Sequence, residues 1–192
     1  MLRWSFWLIC ARVSSSHILA PGVALLGDTG TVFMNEQSIQ AKQGEIEFRR
    51  TLSAQELGHD CHIPEAFSHH EIMPVIERAI GETRRDFEQL AGKGIPLSPF
   101  LEIGAERGHR SFVLCNEFDA WGFAFDLSLD ALQFGDRLIA EFGFANTPIR
   151  ICGDAYRLPF RSDTLPFVCI FATLHHVPDP LPLVAEVRRV LY

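Results

Sequence analysis

The chain lacks paired cysteines. Cys10, Cys61, Cys115, Cys152 and Cys169 are odd in number, widely scattered and without a CxxC pair. This argues against a disulfide framework and for free thiols in a reducing compartment. Cys115, Cys152 and Cys169 stand among apolar residues and are expected as small core side chains. The chain also lacks an apolar run of membrane-spanning length, so no membrane partner is expected. It lacks a basic excess: the net charge of −7 argues against non-specific nucleic-acid binding. The N-terminal MLRWSFWLICAR faintly resembles a signal peptide, but Arg12 interrupts the run and no clean small-x-small cleavage site follows. A cytoplasmic, soluble protein is expected. Internal repeats and low-complexity tracts are absent. A metal site is not expected either, since His59-x-Cys61-His62 and His69-His70 fit no common zinc spacing.

What is present is the composition of a globular protein, 47% apolar and 21% charged over 192 residues. This length suits one domain with an N-terminal extension. Residues 1–67 have weak periodicity, and GDTGTVFMNEQSIQ shows turn signals and a short strand-like run. Residues 68–97 form a helical lead-in. Ile72, Val75, Ile76, Ala79 and Ile80 share one face, and Pro74 is tolerable only near the first turn. A second helical piece runs from about Thr83 to Ala91 and ends at Gly92 and Gly94.

From residue 98 to 192 short strands alternate with helices. The spacing predicts strands at Leu101–Ile103, Gly122–Asp126, Ile149–Cys152 and Phe167–Phe171. Helices are expected over 108–117, after an N-cap at Ser128 with closure at Gly143, and over LPLVAEVRRVL with Pro182 in its first turn. Phe100, Phe112, Phe123, Phe125, Phe134 and Phe167 are expected mostly in the core. The fold class is therefore α/β, a Rossmann-like doubly wound parallel sheet built from β-α-β crossovers. In such sheets ligands bind at the carboxyl ends of the strands, where the strand order reverses.

Three strand ends carry candidate chemistry. The first is FLEIGAERGHRS, a glycine turn in which Glu106 stands where a dinucleotide-binding loop keeps a glycine. The second is Asp126, 24 residues after Glu102, an acid placed to accept both hydroxyls of a ribose. The third is Gly153-Asp154-Ala155, where a carboxylate beside a small residue can accept from an exocyclic amine. Together they describe a nucleoside pocket. Simpler readings stand beside each: Asp126 as a charge at the next helix's N-terminus, Asp154 as a turn residue, and the glycines as punctuation.

LEIGAERG, GFAFDLS, GDAYRLPFRSDTLPF and ATLHHVPDPLPLVAEVRRVL, in that order, resemble the class I S-adenosylmethionine-dependent methyltransferases. The resemblance covers about half the chain and is nearest to the small-molecule, type 11-like branch. It implies S-adenosylmethionine as cofactor and an unidentified small-molecule acceptor. It also implies roles by position. Glu102, Gly104, Ala105 and Gly108 shape the methionine end, and Asp126 with Leu127 holds the ribose. Asp154 and Ala155 border the adenine, while Phe171, Ala172 and Leu174 open toward the transferred methyl group. His175 and His176 are candidates for a general base, with loop packing as the simpler reading. Two departures accompany the resemblance: Glu106 replaces a glycine, and Leu165-Pro166 replaces a Phe-Asp pair. The family continues past the fourth crossover helix, whereas this chain stops at Tyr192. An exposed sheet edge, and a fragment with uncertain activity, are expected from that. Two other functions remain open on the residues alone: a nicotinamide-dependent oxidoreductase, and a non-catalytic methyltransferase-like binding module. Glu106 separates the two enzymes, because a carboxylate at the turn repels a pyrophosphate but suits a cationic sulfonium.

Overall fold

A computed structural model describes residues 36–54 and 69–192. The His59, Cys61 and His62 group lies outside the described residues. Among the described residues no cluster of three or more His, Cys, Asp or Glu could hold a metal ion. No described helix is long and apolar enough to cross a membrane.

Helix α1, Glu36–Ala54, takes in the end of the stretch GDTGTVFMNEQSIQ, whose first nine residues lie outside the described residues. Its Glu, Gln, Ala, Arg and Leu content favours a helix. Its apolar residues form no clear stripe, so periodicity alone did not show it. Helix α2, His69–Gly92, is continuous rather than two pieces. Ile76, Ile80, Thr83, Phe87 and Leu90 are all buried, and their spacing carries one stripe straight past Gly81. A glycine inside a helix costs only about 1 kcal/mol, which this packing outweighs. Pro74 falls in the second turn, where it removes one backbone bond.

The strands are β1 Phe100–Ile103, β2 Gly122–Asp126, β3 Ile149–Cys152 and β4 Phe167–Ile170. The four form one sheet in the order β3-β2-β1-β4, all pairs parallel. Helix α3, His109–Glu117, joins β1 to β2, and α4, Leu129–Phe142, joins β2 to β3. A short 3-10 helix, Leu174–His176, and α5, Pro180–Val190, follow β4. The chain thus steps outward from β1 to β3 and then returns to the other side of β1. The order reverses between β1 and β4, which opens a crevice at their carboxyl ends.

The period of two along each strand sorts side chains onto two cores. Phe100, Phe167, Cys169 and Phe171 meet α2 and α3, where Phe87 and Phe112 are fully buried. Leu101, Ile103, Val168 and Ile170 meet Leu183, Val187 and Val190 of α5. The loop before β4 is tied to α5 by Arg189, which donates to the carbonyls of Phe160 (2.7 Å) and Leu158 (3.0 Å). Pro166 precedes the first residue of β4, where a missing N–H is tolerated. β4 is the terminal strand of the sheet on this side; just before it, Leu165 bridges Leu191 in parallel, and the Tyr192 N–H donates to the Leu165 carbonyl. Cys115 and Cys169 are buried, but Cys152 is exposed, because β3 is the outer strand and little covers it.

Candidate functional site

The crevice is built first from two interlocking turns. Gly104 ends β1 with φ +72°, and a Cβ there would lie 2.0 Å from Thr173 Oγ1. Glycine is therefore needed at this position so that the loop after β4 can approach. Thr173 in turn donates to the Phe171 carbonyl at 2.8 Å. Two non-glycine residues in these turns take left-handed backbone, Glu106 at φ 53° and Ala172 at φ 48°. Such backbone costs an ordinary residue about 1 kcal/mol or more and gathers at functional sites. Glu106 thus adopts backbone of the kind that glycine takes most readily. Its carboxylate lies 3.3 Å from the Arg107 guanidinium, and Arg107 is buried over the Phe134 ring.

Asp126, at the end of β2, binds both neighbouring loops. Its Oδ2 accepts from the Glu106 N–H at 2.7 Å, and its Oδ1 from the Ser128 N–H at 2.8 Å. A carboxylate oxygen can accept more than one hydrogen bond, so a ligand hydroxyl can share Asp126 with these backbone groups. Because the Glu106 N–H is committed to Asp126, the turn does not offer that donor to a phosphate.

Beneath the turn lies a buried polar corner. Glu102 is fully buried, and its Oε2 accepts from Ser111 Oγ at 2.6 Å. Its Oε1 has no hydrogen-bond partner, and the nearest cation is Arg110 at 4.0 Å. Burial pushes the Glu102 carboxyl up to about 7, only partly offset by Arg110 and Ser111. His109, 4% exposed at the start of α3, has no partner for either ring nitrogen. Burial, then Arg110 and Arg107, drive its pKa well below the usual value, so the ring is neutral. Arg110 also stacks on Phe171, 4.9 Å from the ring centroid.

The third strand end contributes Asp154. Its Oδ1 accepts from the Tyr156 N–H at 2.9 Å, and its Oδ2 accepts from Lys42 Nζ at 2.7 Å. Lys42 belongs to α1 and sits 3.6 Å from the centroid of the Tyr156 ring. Tyr156 is fastened by its hydroxyl, which donates to the Asp179 carbonyl at 2.6 Å.

Gly104, Asp126, Leu127, Asp154, Ala155 and Phe171 all line this one crevice. Glu102, Ala105 and Gly108 do not. Glu102 faces α3 because alternation along β1 puts it on the side opposite Leu101 and Ile103. Ala105 packs with Ala124 and Leu132, and Gly108 caps α3 with φ 74°. Leu174 packs into the α5-side core, whereas Ala172 lines the crevice. Of the two histidines His176 lines it, with Nδ1 4.0 Å from Glu45, while His175 does not line it and lies with its ring centroid 4.0 Å from that of His176. Sequence reasoning missed Lys42 and Glu45 because α1 itself was not legible. It gave no role to Thr173 or His109, although both stand in stretches it singled out, ATLHHV and FLEIGAERGHRS, because their placement depends on contacts between loops.

Residues 101–192 match the family described as "Methyltransferase domain". Over 66 residues the chain is 36% identical to the demethylmenaquinone methyltransferases of Bacillus velezensis (strain DSM 23117 / BGSC 10A6 / LMG 26770 / FZB42) and Bacillus subtilis (strain 168). That match covers 34% of this chain and 28% of each of those proteins. The fold is similar to magnesium protoporphyrin IX methyltransferase from Synechocystis PCC 6803, with a TM-score of 0.56 and 15% identity over 85% of this chain and 74% of that one. It is also similar to a Methanococcus maripaludis structure titled a putative S-adenosyl-L-methionine-dependent methyltransferase, at TM-score 0.51 and 15% identity over 85% of this chain and 63% of that one. At those identities the likeness concerns the fold, and the strand order and the switch-point crevice agree with it. Residues 101–192 are accordingly a methyltransferase domain of the class I, Rossmann-like type.

Proposed function

We propose that the crevice binds S-adenosylmethionine and that the chain takes part in methyl transfer to a small-molecule acceptor. One observation carries the reading: Asp126 and Asp154, from the ends of adjacent strands, enter a single crevice with the Gly104 turn at the sheet's switch point. Asp126 suits the ribose hydroxyls and Asp154 the base amine. The acid at Glu106, which lines the crevice and has its N–H committed to Asp126, favours a cationic amino-acid end over a pyrophosphate. This chemistry supports the methyltransferase reading over the nicotinamide alternative.

When bound, the cofactor supplies an electrophilic methyl group on a sulfonium. The chain's own residues bind, align and exclude water, which is where much of the rate of such a transfer arises. Ile76 and Ala79 of α2, with Phe171, give the crevice an apolar wall against which an acceptor can be held. His176 is placed to take a proton from an acceptor hydroxyl or ammonium at its Nε2, with Glu45 beside Nδ1.

Isothermal titration calorimetry with S-adenosylmethionine and S-adenosylhomocysteine tests the binding reading. Saturable binding of both is expected, and Asp126→Ala should weaken it by at least about tenfold, the worth of one or two lost hydrogen bonds. No heat and no thermal shift with either ligand would leave a non-catalytic module as the better reading.

A further inference from the structure

The chain contains two lysines, Lys42 and Lys93. Lys42 is the one in the crevice, and its side chain is only 13% exposed. Its ammonium meets a carboxylate oxygen at 2.7 Å and an aromatic face at 3.6 Å, two features that together make a receptor for a positively polarised nitrogen. The oxygen it occupies is Asp154 Oδ2, while Oδ1 is held by the Tyr156 backbone. A base amine that reads Asp154 from the crevice meets Lys42 Nζ already bound at Oδ2, the oxygen that the backbone leaves open. Lys42 does not come from the sheet or its crossover helices. It comes from α1, which rests on α4 through contacts that include a partly exposed Arg50–Asp130 pair at 3.5 Å. The same helix brings Glu45 to His176, which also lines the crevice.

We propose that Lys42 is an internal competitor: α1 holds its ammonium where the ligand's base amine belongs, and a nucleoside enters only as Lys42 leaves Asp154. This rests on the assignment of Asp154 to the base. Departure of Lys42 also frees the Tyr156 face for the base ring. The ion pair is partly exposed and is backed by the Tyr156 ring, which sets the competition at about tenfold in affinity. Helix α1 is then a strap whose position governs whether the domain is loaded.

Two measurements on the full chain test this. The first titrates S-adenosylhomocysteine, which has no methyl group to transfer, into wild type and Lys42→Met. The variant keeps the length and apolar stem of the side chain and loses its charge, and it should bind about tenfold more tightly. The second follows selectively 13C-labelled lysine in the wild-type protein by NMR, with Lys93→Arg to assign the two signals. The ε-methylene of Lys42 should be shifted upfield by the Tyr156 ring and should move to the position of a solvated lysine at saturation. Equal or weaker binding by Lys42→Met, or a Lys42 signal still upfield at saturation, overturns the competition while leaving the nucleoside site standing. Absence of binding by both proteins overturns the nucleoside site and the competition with it. If Lys42→Met does not fold, the wild-type spectrum decides alone.

Discussion

At the scale of single residues, Glu102 is the group whose behaviour departs most from its exposed form. It lies under α3 with one oxygen bound to Ser111 and the other orphaned. A carboxyl raised from 4.5 to about 7 holds its proton more tightly in the folded chain than in the unfolded one. Its contribution to stability is thus fully present below pH 4.5 and is lost as the pH rises through about 7. At roughly 1.4 kcal/mol per tenfold, the loss amounts to about 3 kcal/mol. Glu102→Gln keeps an acceptor for Ser111 and removes the charge. Thermal melts should show the variant more stable than wild type at pH 8 and the difference closing toward pH 4.5. Parallel curves would mean that Glu102 titrates normally. Asp126 is a different acid, half-buried with each oxygen satisfied by a backbone N–H, and it serves the geometry of two turns as well as a ligand.

At the scale of elements, α4 shows how local signals and close approach combine. Ser128 takes extended backbone and its hydroxyl accepts from the Ala131 N–H at 3.2 Å, while Gly143 closes the helix with φ 67°. Both caps were legible, because capping depends on residues within one turn. Ser128→Ala should cost roughly 1 kcal/mol in urea unfolding, and an unchanged midpoint would show the cap to be idle. Leu129, by contrast, is apolar yet 53% exposed at the first turn of the helix. Helix α2 was expected as two pieces, the second from about Thr83 to Ala91, with Gly81 falling between them. Burial of residues on both sides of it along one stripe made it a single helix.

At the scale of the molecule, the parallel sheet ties both cores and the crevice into one unit. Phe87 of α2 is fully buried and meets Phe118, Phe167 and Phe171 edge-on, with ring centroids 5.8, 6.3 and 5.9 Å away. It joins the helical lead-in to α3's end and to β4, close to the crevice wall. Phe87→Ala should destabilise the whole fold by about 3–5 kcal/mol. Chemical unfolding should remain one transition with a shifted midpoint. A variant that loses only the α2 signal would show that the lead-in folds separately from the sheet.

The sequence by itself determined the α/β class, the order of strands and helices from residue 98 onward, and which strand ends bear acids. Those features follow from periodicity, caps and glycine turns, all of which act within a few residues. The tertiary structure alone decided which acids reach the crevice. Alternation along β1 buried Glu102 beneath α3, while the switch between β1 and β4 brought Asp126 and Asp154 into the same crevice as Gly104. It alone placed Lys42 on Asp154, 112 residues away in the chain. Contacts at that separation depend on how α1 docks on α4, and docking leaves no local pattern for a sequence to display.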